Sequence, residues 1–124
     1  MVSKILIVDD DPDIQEMCRL VLTKEGFEVD CASNRAEGFK TIAAGTPDLL
    51  ILDVMMEEPD DGLTMARQLR REGFEKPIIM LTSVNAAMGL QIDRDDEIVP
   101  VDKFQPKPVE PKVLVAEVNE LLGR

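Results

Sequence analysis

Three short apolar runs constrain the fold of this chain more than any other feature: Ile5-Leu6-Ile7-Val8, Leu49-Leu50-Ile51-Leu52 and Pro77-Ile78-Ile79-Met80-Leu81. A strand with one wet face alternates apolar and polar residues, whereas a strand covered on both faces does not. The runs therefore predict the central strands of a parallel sheet, and the segments between them must supply its covering layers.

Those segments read as helices with recognisable ends. Asp11 offers an acceptor at an N-cap and Pro12 a first helical residue. Ile14, Met17, Cys18 and Val21 follow at helical spacing, and Gly26 stands where a C-terminal cap belongs. Glu28 to Cys31 reads as a weaker strand, and Arg35 to Ala44 as a helix ending at Gly45. Pro47-Asp48 introduces the second apolar run, and Asp61-Gly62 opens a helix with Leu63, Ala66 and Leu69 on one face. A short strand around Val101 to Phe104 precedes a helix from Pro111, with Leu114, Val118, Leu121 and Leu122 on its buried side. Strand and helix in alternation predict an α/β fold: a single doubly wound (βα)5 domain over residues 1–124, with a five-stranded parallel sheet.

Composition narrows the chemistry. The 124 residues carry 14 Lys plus Arg against 25 Asp plus Glu, a net charge of −11 that repels phosphate backbones. The aromatics are four Phe with no Trp or Tyr, too few to stack bases, so no direct nucleic-acid contact is expected. No apolar run approaches the roughly 18 residues of a membrane span, and Met1 to Asp9 is too short and too acidic for a signal peptide. A cytoplasmic location without membrane contact is the expectation. Cys18 and Cys31 lack C-x-x-C spacing and read as small apolar residues. The absence of His removes the commonest general base and transition-metal ligand, leaving carboxylates, hydroxyls and lysine.

In doubly wound sheets ligands sit beyond the carboxyl ends of the strands. Here those ends carry Asp9-Asp10-Asp11, Asp53 and Thr82-Ser83, with Lys107-Pro108 in the loop after the last strand. Each has a plain structural reading: Asp11 as a helix cap, Thr82 as a satisfied hydroxyl, Lys107 as a solvated charge. Together they are harder to explain that way, because carboxylates gathered at one edge need a cation to stay ionised. Oxygen ligands without His or thiolate suit Mg²⁺.

KILIVDDDPD at Lys4 to Asp13, LLILDVMM around Asp53, MLTS around Thr82 and KPV at Lys107 to Val109 resemble, in order and over nearly the whole chain, the receiver domain of response regulators. The resemblance implies a flavodoxin-like receiver fold and a signalling domain rather than a turnover enzyme. It makes Asp53 the phosphoacceptor, attacking the phosphoryl group on a histidine of a sensor histidine kinase or histidine phosphotransfer protein. It makes Asp9 and Asp10 the acidic pair for Mg²⁺, Asp10 the more direct ligand, with Asp53 and the backbone carbonyl of Met55 completing the protein's share. Thr82 would bond a phosphoryl oxygen, and Lys107 would pair with its charge. Phe104 matches the aromatic that turns inward when the threonine moves, and it also reads as an ordinary core Phe. Lys107-Pro108 matches a cis peptide. A downstream protein or a phosphorylation-dependent homodimer would read the change.

Two segments depart from the family pattern. Glu57 stands where a proline is customary, and Asp61-Gly62 lies one residue further from Asp53, so this loop is longer and more acidic. Val84 to Pro100 lacks an amphipathic helix and carries Gly89 and the polar run Asp93 to Glu97, which predicts a short or shifted element there. These departures leave a second reading, a pseudo-receiver that keeps the fold as an interaction module without phosphotransfer. A Mg²⁺ phosphohydrolase of the haloacid-dehalogenase type needs an Asp two residues after the nucleophile, where this chain has Met55.

Overall fold

The computed structural model describes residues 2–54, 56, 61–82 and 101–123. In chain order the elements are β1 (Lys4–Val8), α1 (Pro12–Lys24), β2 (Glu28–Ala32), α2 (Arg35–Ala44), β3 (Leu49–Asp53), α3 (Asp61–Arg71), β4 (Ile78–Thr82), β5 (Lys103–Pro106) and α4 (Pro111–Leu122). All pairings are parallel, in the order β2-β1-β3-β4-β5. The order reverses direction between β1 and β3, the crevice at which such sheets bind ligands.

The three apolar runs form the sheet's interior, as their lack of alternation requires. Ile5 to Val8, Leu49 to Leu52 and Ile78 to Leu81 are all fully buried. Alternate residues divide between two cores. Leu6, Val8, Leu50, Leu52, Ile78 and Met80 pack with Leu63, Met65, Ala66 and Leu69 of α3. Ile5, Ile7, Leu49, Ile51, Ile79 and Leu81 pack with Cys18 and Leu22 of α1 and Leu114 and Val118 of α4. Each fully buried Leu or Ile contributes about 1.5–3 kcal/mol over its exposed state, so these strands dominate the favourable side of folding.

Helix starts follow their sequence signals. The Asp11 carboxylate accepts a hydrogen bond from Asp13 N at 2.9 Å, so its capping role is real. Asn34 caps α2 by accepting from Glu37 N at 2.8 Å, and Glu37 reaches back to accept from Ser33 N at 3.0 Å. Gly26 has φ 94°, a left-handed conformation suited to the turn after α1.

The last strand lies two residues further on than its pattern suggested. Asp102 precedes it because its carboxylate is engaged with Ile78 N at 2.8 Å and Arg70 Nη2 at 3.1 Å, tying the approach to the sheet before the ladder begins. At the other end Pro106 closes the strand, which an edge position tolerates. The described residues include four helices; the element expected between Ser83 and Val101, with Val84, lies outside them. No helix among them is long and apolar enough to cross a membrane.

Candidate functional site

β1 and β3 are neighbours with Val8 opposite Leu52, so Asp9 and Asp53 emerge side by side just past that pair. By strand alternation both carboxylates stand on the α1/α4 face. Asp9 is 0% and Asp53 3% exposed, whereas Asp10 is exposed. Carboxylate oxygens of Asp9, Asp10 and Asp53 lie within 4.8 Å of one another.

A cation from the far side of the sheet meets this cluster. Lys107 N donates to Thr82 O at 2.6 Å, holding the loop after β5 against the end of β4. Its side chain then reaches across, placing Nζ 3.2 Å from Asp9 Oδ2 and 3.2 Å from Asp53 Oδ1. The Lys107–Pro108 peptide is cis, as the motif implied. Burial lowers the proton affinity of the Lys107 ammonium, but Asp9 and Asp53 outweigh it and the net shift is upward. Asp9 is pushed above the ordinary carboxylate range chiefly by burial, with repulsion from Asp10 adding to it. The Asp11 N–H and Lys107 oppose that shift without cancelling it. The lysine thus works against the cost of burial at these carboxylates without removing it.

The donor set fits Mg²⁺. Asp9 Oδ2 is buried and, beyond its ionic contact with Lys107, has no directed hydrogen bond among the described residues. All the converging side-chain donors are carboxylate oxygens, the ligand class of a hard dication. Asp10 projects from the exposed side, where a metal would retain part of its water shell.

Thr82 ends β4, buried, with Leu81 opposite Asp53, so its position is one strand over from Asp53. Phe104 pairs with Met80, and Pro106 with Thr82, which puts Phe104 and Thr82 on the same sheet face. Phe104 is half-buried against the core that contains Leu6 and Leu52. The structure thus gathers Asp9, Asp10, Asp53 and Lys107 and places Thr82 at the adjoining strand end. Met55, Glu57, Glu58 and Asp60 lie outside the described residues.

Two contributors were hidden in the sequence. Gly62 reads as a helix opener, yet its N–H donates to Val54 O at 3.0 Å and its backbone abuts Asp53. Arg35 reads as a helix-surface cation, yet its Nη1 lies 3.4 Å from Asp61 Oδ1, joining the starts of α2 and α3.

The model of the response regulator receiver domain family matches residues 5–119. The chain belongs to that family. This receiver is 38% identical over 128 residues to the response regulator MprA of Mycobacterium ulcerans (strain Agy99), covering 100% of this chain and 52% of that protein. The MprA of Mycobacterium tuberculosis (strain ATCC 25618 / H37Rv) gives the same identity and coverage. The receiver therefore spans about half the length of these curated relatives. Among solved structures, the response regulator TrrA of Thermotoga maritima, in complex with Mg²⁺-BeF, superposes with a TM-score of 0.82 at 33% identity, covering 98% of this chain and 100% of that one. The chemotaxis response regulator CheY4 of Vibrio cholerae superposes with a TM-score of 0.85 at 25% identity, again over 98% and 100%.

Proposed function

We propose that this receiver, one domain over residues 1–124, accepts a phosphoryl group on Asp53 from a phosphohistidine of a sensor kinase or histidine phosphotransfer protein. The observation that carries this reading is the Lys107 ammonium 3.2 Å from both Asp53 and Asp9, at the mouth of an oxygen-only cluster. The Mg²⁺-BeF bound to TrrA, whose chain matches this one almost throughout, supports the same use of the cluster.

The chemistry follows from charge. An ionised carboxylate approaching a phosphoryl group meets repulsion, and transfer is largely positioning plus electrostatic stabilisation. Asp9, Asp10, Asp53 and the Met55 carbonyl would hold Mg²⁺, which when bound offsets phosphoryl charge. Asp53 Oδ attacks phosphorus in line, the P–N bond to the donor histidine breaks, and the ring nitrogen keeps the electron pair, the ring taking one proton from solvent to leave as neutral imidazole. Lys107 moves its attraction from the Asp53 carboxylate to the phosphoryl oxygens. The Thr82 hydroxyl donates to one of those oxygens, and Phe104, two ladder pairs away on the same face, follows it inward. A downstream protein or a second copy of the receiver reads that shift in the cytoplasm.

Acetyl phosphate with Mg²⁺, followed by intact mass, tests the reading. The expected result is one phosphoryl group on the wild type and none on Asp53→Asn or with EDTA. An undiminished mass shift in Asp53→Asn would falsify the assignment. A wild type that folds and binds Mg²⁺ but takes no phosphoryl group favours the pseudo-receiver.

A further inference from the structure

We infer that Gln15 is a positioning residue for the Mg²⁺ ligand Asp10, because its side-chain amide fixes the peptide unit from which Asp10 springs. The inference rests on the metal reading above and extends it to a residue outside the acidic cluster.

Asp10 is the exposed member of the cluster, so packing does little to aim its carboxylate. Its direction must come from the backbone on either side. The peptide after it is pinned from within the site, since Asp11 N donates to Asp9 Oδ1 at 2.8 Å. The peptide before it is pinned from outside, since Gln15 Nε2, one turn into α1, donates to the Asp9 carbonyl. The same nitrogen also donates toward Ser33 Oγ at 3.2 Å and Ala32 O at 3.4 Å. Ser33 is itself fixed through its N–H to Glu37 at the start of α2. Gln15 thus anchors the β1–α1 loop to the β2–α2 turn, and both peptides flanking Asp10 have defined partners. Rotation about the Asp10 side-chain bonds is the main freedom left to the ligand.

Outer partners that orient a metal ligand commonly set metal affinity by 10–100-fold when removed. A Gln that merely tied α1 to β2 would alter stability and leave affinity for the ion unchanged.

The test is a titration of the unphosphorylated, ¹⁵N-labelled protein with MgCl₂, reading backbone amide shifts around Asp9 to Asp11. Gln15→Met, which keeps the stem but removes both donors, is expected to weaken Mg²⁺ binding about tenfold or more. It should also speed exchange of the Asp11 amide without metal. Ser33→Ala keeps the bond from Gln15 to Asp9 and is expected to bind Mg²⁺ like the wild type. If Gln15→Met does not fold, Gln15→Leu, also uncharged and without an amide donor, carries the same expectation. A folded Gln15 variant with wild-type Mg²⁺ affinity overturns the positioning role alone. A wild type whose amides ignore Mg²⁺ overturns the metal reading and this inference with it.

Discussion

A Cβ placed on Gly62 would fall 2.1 Å from the carbonyl oxygen of Asp53. No packed structure accommodates such a contact, and the atoms met are backbone rather than the end of a flexible chain. The first turn of α3 therefore rests directly on the peptide that follows Asp53. We expect Gly62→Ala to lower stability by about 1–3 kcal/mol through overpacking, measured by urea unfolding. We also expect slower phosphorylation by acetyl phosphate, because the strand end must yield. Unchanged stability and rate would show that α3 does not brace Asp53.

Lys107→Met removes the charge between two buried carboxylates. Breaking a buried pair typically costs about 3–5 kcal/mol, and the 23% exposure of this side chain places the effect toward the lower end. Added Mg²⁺ should stabilise the variant by more than it does the wild type, since it then meets negative charge that the ammonium no longer offsets. Thermal melts across a Mg²⁺ series check both points. An equal Mg²⁺ response in the two proteins would argue that the lysine and the ion do not share a task.

Burial, with Asp9 and Cys31 adding to it, pushes the Cys18 thiol up to about 12 from an ordinary 9.0. The folded state then holds this proton more tightly than the unfolded chain. The resulting stability is complete below pH 9.0 and declines as pH rises through about 12. Cys18→Ala should flatten that alkaline decline, as followed by unfolding at stepped pH. In the native protein, iodoacetamide should label the half-buried Cys31 before the buried Cys18. Peptide mapping after a short exposure reads the order.

Gln105 faces the α1/α4 core from β5, 2% exposed, and neither polar atom of its amide has a hydrogen-bond partner among the described residues. An unpaired buried amide costs about 1–3 kcal/mol. Gln105→Met, of similar volume, should therefore raise the unfolding midpoint. A drop would mean that the amide is satisfied in solution.

The fold was legible where burial dictates residue type. Ile5 to Val8 and Leu49 to Leu52 admit little but central strands, and Asp11 announces its helix through a group that can cap. β5 was less clear because Lys103 and Gln105 interrupt the apolar pattern of an edge strand, and Asp102 is fixed by Arg70, whose distance in sequence hides the pairing. Site positions could be read from strand ends, since a parallel sheet brings those ends together. The joint approach of Lys107 to Asp9 and Asp53 could not, because it depends on how the loop after β5 is fastened to Thr82. Gln15 was equally silent: a polar residue on the first turn of an amphipathic helix looks the same whether it meets water or a carbonyl.

The parallel sheet also separates what this chain can change from what it cannot. Asp9, Asp53, Thr82 and Lys107 all leave from one rim, whereas the turns at Gly26, Pro47 and Gly73 lie at the other. At Gly73 the space beside Cα is open, although its φ of 95° keeps that one position for glycine. Sequence spliced into that opposite rim, a recognition tag or a reporter, enters the chain a full strand length away from the acidic cluster. The two rims are in effect separate drafting surfaces, and a signalling protein can acquire new attachments on one while its chemistry stays written on the other.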